Sequence, residues 1–372
     1  MEEVLRQVRC WTIVLMLAGC AGRQAALVPS VGPGSAPDTR VRPNSGPSVV
    51  EIASFSANPS GIASDQAGNE WVALLSPATL VRVNETTHAK ASYGLPNSQS
   101  EPETLALGVH GNGLWFTEYG DDTVGYMHLA DHSIHRYTVP THGAGVFGIA
   151  AGPDNAMWFT ESSAGKIGRI DLSSFAITEY PVSSNPYPYN IALGSDGALW
   201  FTEVRGNAIG RIATNGHVSH YSLPHADSVP WGITTGADGG VWFTENNLPD
   251  TAVEPAGHAR ALPDSAHHGR IGRIDPTTHA ISEWSLPSAA AGPEYIVGRG
   301  SDLWFTEYAG NGVGSINDTS HAIHEYSAPA GASGPYAIAL GTDDQLWFTQ
   351  AEAKKLGKIC PTRSANQCTT GD

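Results

Sequence analysis

The chain is short of charge. Only 15 % of its 372 residues are Asp, Glu, Lys or Arg, against roughly a quarter in ordinary globular proteins. Basic residues are the scarcer sign: 20 Lys and Arg stand against 36 Asp and Glu, a formal net charge of −16. A phosphate backbone needs a basic face to neutralise it, so no nucleic acid partner is expected. No apolar run reaches the ~18–20 residues of a membrane-spanning helix. Familiar signatures of chemistry are missing too: there is no Cys-x-x-Cys pair, no Gly-rich phosphate loop leading from a strand into a helix, and no Gly-x-Ser-x-Gly elbow. With 41 % hydrophobic residues the chain can still bury a core, unlike a disordered acidic chain. What it has in excess is punctuation. Its 42 Gly and 25 Pro disfavour a helical bundle and ask for many turns.

Cysteine is scarce as well, and its four positions are informative. Arg6 and Arg9 precede the apolar run Trp11–Ala18, followed by Gly19 and Cys20. Basic residues, a short apolar stretch and small residues make a secretory signal. Leu17-Ala18-Gly19-Cys20 resembles a bacterial lipobox, which implies removal of residues 1–19 and lipidation of Cys20. Residues 20–47, rich in Pro, Gly and Ser, read as a flexible tether. The expected location is the bacterial cell envelope, lipid-anchored on a periplasmic or outer-membrane face. Cys360 and Cys368 remain, close enough in sequence to pair in an oxidising compartment, though two free thiols are equally allowed by sequence.

The strongest signal is a repeat. Trp-Phe-Thr-Glu begins at Trp115, Trp158, Trp200, Trp242 and Trp304; Trp347-Phe-Thr-Gln350 and Trp71-Val-Ala-Leu74 are further copies. Spacings of 44, 43, 42, 42, 62 and 43 define seven units. Each holds four short alternating segments bounded by Gly, Asn, Asp or Pro, the pattern of a propeller blade. The expected fold is all-β: a seven-bladed β-propeller with four antiparallel strands per blade, spanning 48–360, with 361–372 as a tail. The last unit lacks a fourth strand, and Val49–Phe55 resembles the missing one, so an N-terminal strand is expected to close the ring.

These units, with Pro188-Tyr-Asn-Ile-Ala, Leu199-Trp-Phe-Thr-Glu203, Ile209-Gly-Arg-Ile212 and Ile177-Thr-Glu-Tyr-Pro181 as examples, resemble the virginiamycin B lyase (streptogramin lyase) family throughout 48–360. The resemblance implies a propeller that opens cyclic depsipeptides by Mg²⁺-assisted elimination. It also implies Pro-His at the start of blades six and seven, the histidines having acid and metal-linked roles. Here the matching pairs are Pro293-Glu294 and Pro335-Tyr336. The family's carboxylate before the second pair matches Gly334, and its last functional acid falls at Ala351, one position from Glu352. Glu294 and Glu352 are therefore the candidates for a proton-accepting or metal-binding role, and Mg²⁺ the cofactor implied by resemblance alone.

In a propeller the first strand of each blade lines the channel. The residue after its opening Pro should ring one mouth: Ser60, Glu103, Phe147, Tyr189, Trp231, Glu294 and Tyr336. Four aromatics and two acids suit an apolar ligand with a cationic group; equally, the aromatics can simply fill the channel. On the first reading, Trp231→Ala or Tyr189→Ala weakens binding without unfolding a blade. The long fifth-blade insertion, 246–269, carries His258, His267 and His268 and is a candidate lid over that mouth or a surface loop. The recurring Glu118, Glu161, Glu203, Glu245 and Glu307 are expected to satisfy backbone groups at turns, because repetition marks packing. Three functions follow: a monomeric envelope protein binding a small molecule or peptide at the mouth, a Mg²⁺-dependent carbon–oxygen lyase, or a scaffold for an envelope protein.

Overall fold

The computed structural model describes residues 47–109, 111, 113–182, 186–247, 268–289, 291–329, 331–361 and 368. Among them, no helix is long and apolar enough to cross a membrane. Seven four-stranded antiparallel sheets form seven blades, their strands lying within residues 59–94, 102–138, 146–181, 188–222, 230–245 with 270–285, 293–327 and 335–360. The seventh is completed by the strand Ser48–Ser54, which pairs antiparallel with Lys355–Cys360. This pairing removes an exposed edge and closes the ring. A disulfide joins Cys360 to Cys368.

The core lies between blades. In each, the repeat Trp and the residue after it, Phe or in the first blade Val72, are buried, and one blade's indole packs into its neighbour's apolar residues: Trp200 against Ile233, Val241 and Phe243, for example. The third-strand glycine makes this possible: a Cβ at Gly210 would lie 2.1 Å from the Phe201 ring. Outer strands alternate intermediate and exposed residues, as a strand with one wet face must.

Successive inner strands contact one another all the way round. Every one carries an irregularity in the same place. Pro188 pairs with Glu203 and Ile191 with Phe201, so Tyr189 and Asn190 together oppose Thr202. This is a bulge, and it re-aims side chains toward the channel. The repeat Thr explains it. Thr202 Oγ1 accepts the Asn190 N–H (3.1 Å) and donates to the Trp231 carbonyl of the next blade (2.9 Å). Thr117, Thr160, Thr244, Thr306 and Thr349 do the same, the last reaching Ser60. In the first blade, where Ala73 replaces Thr, Ser60 Oγ bonds to the Pro102 carbonyl instead (2.6 Å). Thus the threonine of Trp-Phe-Thr-Glu fastens neighbouring blades at the channel wall.

The repeat glutamates serve differently from the expectation. They are buried and face the outer-strand side chain of their own blade rather than backbone groups. Glu118 accepts from Arg136 Nε (2.6 Å) and Glu203 meets His220 Nδ1 at 2.5 Å. In three blades the facing group is a second carboxyl: Glu179, Glu283 and Glu325. Burial and that neighbour push Glu161, Glu245 and Glu307 up to about 8.

Candidate functional site

The residue after each opening Pro, or after Val146 in the third blade, lies on the channel wall, and all seven are buried. Phe147, Tyr189, Trp231 and Tyr336 come together. The Phe147 and Tyr189 rings stack at 3.8 Å, Tyr189 and Trp231 tilt against each other at 4.3 Å, and the Tyr189 and Tyr336 hydroxyls are 3.4 Å apart. Tyr189 is 0 % exposed. Tyr189 and Trp231 are buried and pack with Phe147, Tyr187, Val204 and Val229 in one core cluster.

Glu103 is 1 % exposed and, among the described residues, its Oε2 has no hydrogen-bond partner. Burial, reinforced by Glu101, pushes this carboxyl well above the carboxylate range. It is an electrostatic neighbour of Tyr189, Tyr295 and Tyr336, which places it in the same cluster. Glu294 accepts from Asn246 Nδ2 (3.1 Å) and also acts on Tyr336. Glu352 is exposed and takes a hydrogen bond from the Tyr308 hydroxyl. A Cβ at Gly334 would lie 2.7 Å from the Tyr308 ring and 3.0 Å from Glu352 Cγ. The pair thus crowds the place where a side chain at 334 would start.

Of the lid candidates only His268 is described, and it does not join this cluster. His268 bonds through Nδ1 to the Leu286 carbonyl (3.0 Å), at the end of its blade's outer strand. His258 and His267 lie outside the described residues.

Sequence reasoning missed a second inward residue per blade. The bulge turns the next position inward too, and it alternates in size: Gly61, Thr104, Gly148, Asn190, Gly232, Tyr295, Ala337. A Cβ at Gly232 would lie 2.4 Å from the Glu294 carbonyl, and at Gly148 2.5 Å from that of Tyr189. Small and large residues interlock, as a tapering channel demands. Tyr295 is the largest, and its ring meets Tyr336 edge-on at 5.1 Å. That alternation was the available signal.

A third layer lies above. The residue preceding the opening Pro, or Val in blade three, is left-handed in six blades, including Glu101 (φ 52°), Tyr187 (57°), Val229 (50°) and Gly334 (59°). For a β-branched Val this is an outlier that costs of order 1–3 kcal/mol. Beside these residues stand the rim groups: Tyr119 against Ser163 (3.3 Å), and Arg205 over the Tyr187 ring at 4.4 Å. Tyr308 and Glu352 complete it.

This geometry belongs to a known propeller type. The profile of the virginiamycin B lyase family matches residues 48–253 and 256–369. The chain belongs to the virginiamycin B lyase family. A streptogramin B lyase structure superposes with a TM-score of 0.75 at 30 % identity, over 85 % of this chain and 98 % of that one. Virginiamycin B lyase from Staphylococcus aureus gives 0.73 at 31 %, over 84 % and 98 %. A catalytically inactive histidine-to-alanine variant of the S. aureus enzyme with quinupristin gives the same score and identity, over 84 % and 99 %. No curated protein matches the chain by sequence. Within this family, Mg²⁺ asks for converging oxygen or nitrogen donors. Among the described residues no three His, Cys, Asp or Glu side chains converge. With Glu294 held by Asn246 and Tyr336 packed on Tyr295, the residues described do not fit that ion.

Proposed function

We propose that this member of the virginiamycin B lyase family is an envelope lipoprotein whose propeller mouth binds a small molecule or peptide without opening it. The observation that carries the reading is the state of the two positions where the resemblance calls for histidine. Glu294 and Tyr336 are buried in a filled aromatic channel. An elimination needs a base that reaches the substrate's α-proton and a group to hold the enolate charge. Both side chains are largely withdrawn from solvent, which does not favour either role. What remains accessible is the rim: Tyr119, Ser163, Arg205, Tyr308 and Glu352. Tyrosine faces with one carboxylate and one guanidinium suit an apolar or aromatic ligand bearing charge. The strained backbone at Tyr187 and Val229 supports a binding role there. The Cys360–Cys368 disulfide supports an oxidising compartment, and Cys20 supplies the anchor.

Quinupristin is the probe, because a relative's structure contains it. Saturable binding by calorimetry is expected, weakened at least tenfold in Tyr308→Ala or Arg205→Ala. Unchanged affinity in both variants overturns the mouth as the site. Cys20→Ser is expected to move the protein from the membrane to the soluble fraction; persistence in the membrane removes the anchor.

The second reading, a carbon–oxygen lyase, is favoured by one contact. Glu352 and Tyr308 stand against Gly334, where the resemblance calls for a carboxylate. In that reading Glu352 is the base.

A further inference from the structure

At the end of the strands opposite the mouth, the repeat tryptophans follow a rule that two blades break, one of them without any substitute. In five blades the indole N–H donates to an Asp carboxylate in the preceding turn: Trp71 to Asp65 (2.9 Å), Trp158 to Asp154, Trp200 to Asp196 and Trp242 to Asp238 (3.0 Å each), and Trp347 to Asp343 (3.3 Å). In four of them a third-strand cation holds the same carboxylate. Arg169, Arg211, Arg273 and Lys358 do so at 2.7, 2.7, 2.6 and 2.8 Å, each lying over the indole face. For Asp196 and Asp238 burial works against ionisation, but the indole and guanidinium more than offset it and hold both below the usual range. The unit is a carboxylate clasped between a neutral donor and a cation.

Blade two lacks the Asp, with Gly111 four residues before Trp115, and fills the space with Tyr126, whose ring lies 4.9 Å from the indole. Blade six lacks everything. Gly300 stands four residues before Trp304, and Ser315 occupies the register position of the cation. Trp304 is 2 % exposed, and among the described residues its Nε1–H has no hydrogen-bond partner. Beside it lies a groove of about 460 Å³, lined by Trp304, Ser315, Arg299, Asp302, His324 and Tyr326 and walled by Pro47 and Pro361. That volume lies in the range of small-molecule sites.

We propose that this groove in blade six binds a small monocarboxylic acid, whose carboxylate takes the place that an Asp side chain holds in five other blades. The protein shows five times over which group satisfies this indole in this setting. A buried donor left unpaired costs about 1–3 kcal/mol, which a ligand oxygen recovers. Tyr326, stacked at 5.7 Å on Trp304, gives a flat wall for the ligand's body. Arg299 supplies positive charge, though its Nε already donates to the Asp344 carbonyl (2.9 Å) and its Nη2 to that carboxylate (2.5 Å). Asp302 accepts from Asn317 (2.9 Å) and sets an acidic edge that disfavours a second carboxylate on the ligand. The site is separate from the mouth and does not depend on the function assigned there.

The test is a titration of the ¹⁵N-labelled full chain, followed at the indole N–H signals, with Trp304→Phe identifying the signal concerned. Benzoate and acetate are the probes; benzamide and acetamide are their neutral counterparts. A saturable downfield shift of the Trp304 signal with the acids is expected, at least tenfold weaker with the amides. Ser315→Tyr, which puts blade two's ring into the groove, is expected to abolish it. In Trp304→Phe, which keeps the ring but not the donor, the heat of benzoate binding should fall at least tenfold. The proposal is overturned if neither acid shifts the signal saturably, if amides match acids, or if benzoate binds Trp304→Phe unchanged.

Discussion

The double variant Glu245→Gln, Glu307→Gln is expected to unfold well above the parent at pH 8.5 and at nearly the same temperature at pH 5. Both carboxyls are buried and each faces a second glutamate, Glu283 or Glu325. Burial and the neighbour push them up to about 8. The fold therefore keeps a proton that the open chain releases above ~4.3. The native state binds more protons in that window, so stability is greatest below it and falls as pH rises toward 8. Each carboxyl costs the fold roughly 1.4 kcal/mol per pH unit across the window, which amounts to a few kcal/mol for each group at pH 8.5. Glutamine keeps the shape and has no proton to lose. At about 1.5 °C per kcal/mol in a domain of this size, the pair should raise Tm by at least about 5 °C at pH 8.5. The seventh blade already carries this substitution: Gln350 is buried and pairs with Pro335 as Glu307 pairs with Pro293. A double variant less stable than the parent at pH 8.5 would show that folding does not raise these carboxyls.

Trp231→Ala should be among the most damaging single changes in the channel, at about 3–5 kcal/mol. The indole is 3 % exposed and packs on Tyr189, while Thr202 Oγ1 and Asn190 Nδ2 hold its carbonyl in place. Because that backbone is pinned, the wall cannot collapse into the space, and a cavity remains. Calorimetric unfolding should show Tm lowered by roughly 5–8 °C, Trp231→Phe falling by less than half as much. Added indole should restore part of the loss, since dry apolar cavities bind aromatic guests. A Trp231→Ala protein as stable as the parent would mean that the channel is open rather than filled.

The architecture was legible because a propeller repeats its own instructions. Trp-Phe-Thr-Glu at 42–44 residue spacing, and a fourth strand missing at one end and present at the other, carry blade count and closure without tertiary information. The channel ring was legible as a set of positions. Its burial was not, because the pattern after an opening Pro does not say whether seven side chains leave a hole. The bulge was hidden since two inward residues per blade break the alternation on which strands are read. The repeat glutamates show the same limit: a buried protonated acid and an exposed ionised one are the same letter. Conversely, Gly300 and Ser315 are plain departures from the repeat, and they gain meaning only once Trp304 is seen without the carboxylate that the other blades provide.

The most direct test of the central claim uses quinupristin with the metal-loaded, disulfide-intact protein. Elimination opens the ester to an isomer of the same mass, so the readout is proton NMR of new vinyl resonances together with a shifted chromatographic retention. A filled channel with Glu294 and Tyr336 in place of histidines predicts neither, over times at which an active family member consumes its substrate. Metal-dependent appearance of the vinyl signals, abolished in Glu352→Gln, would contradict that account and make the chain a lyase.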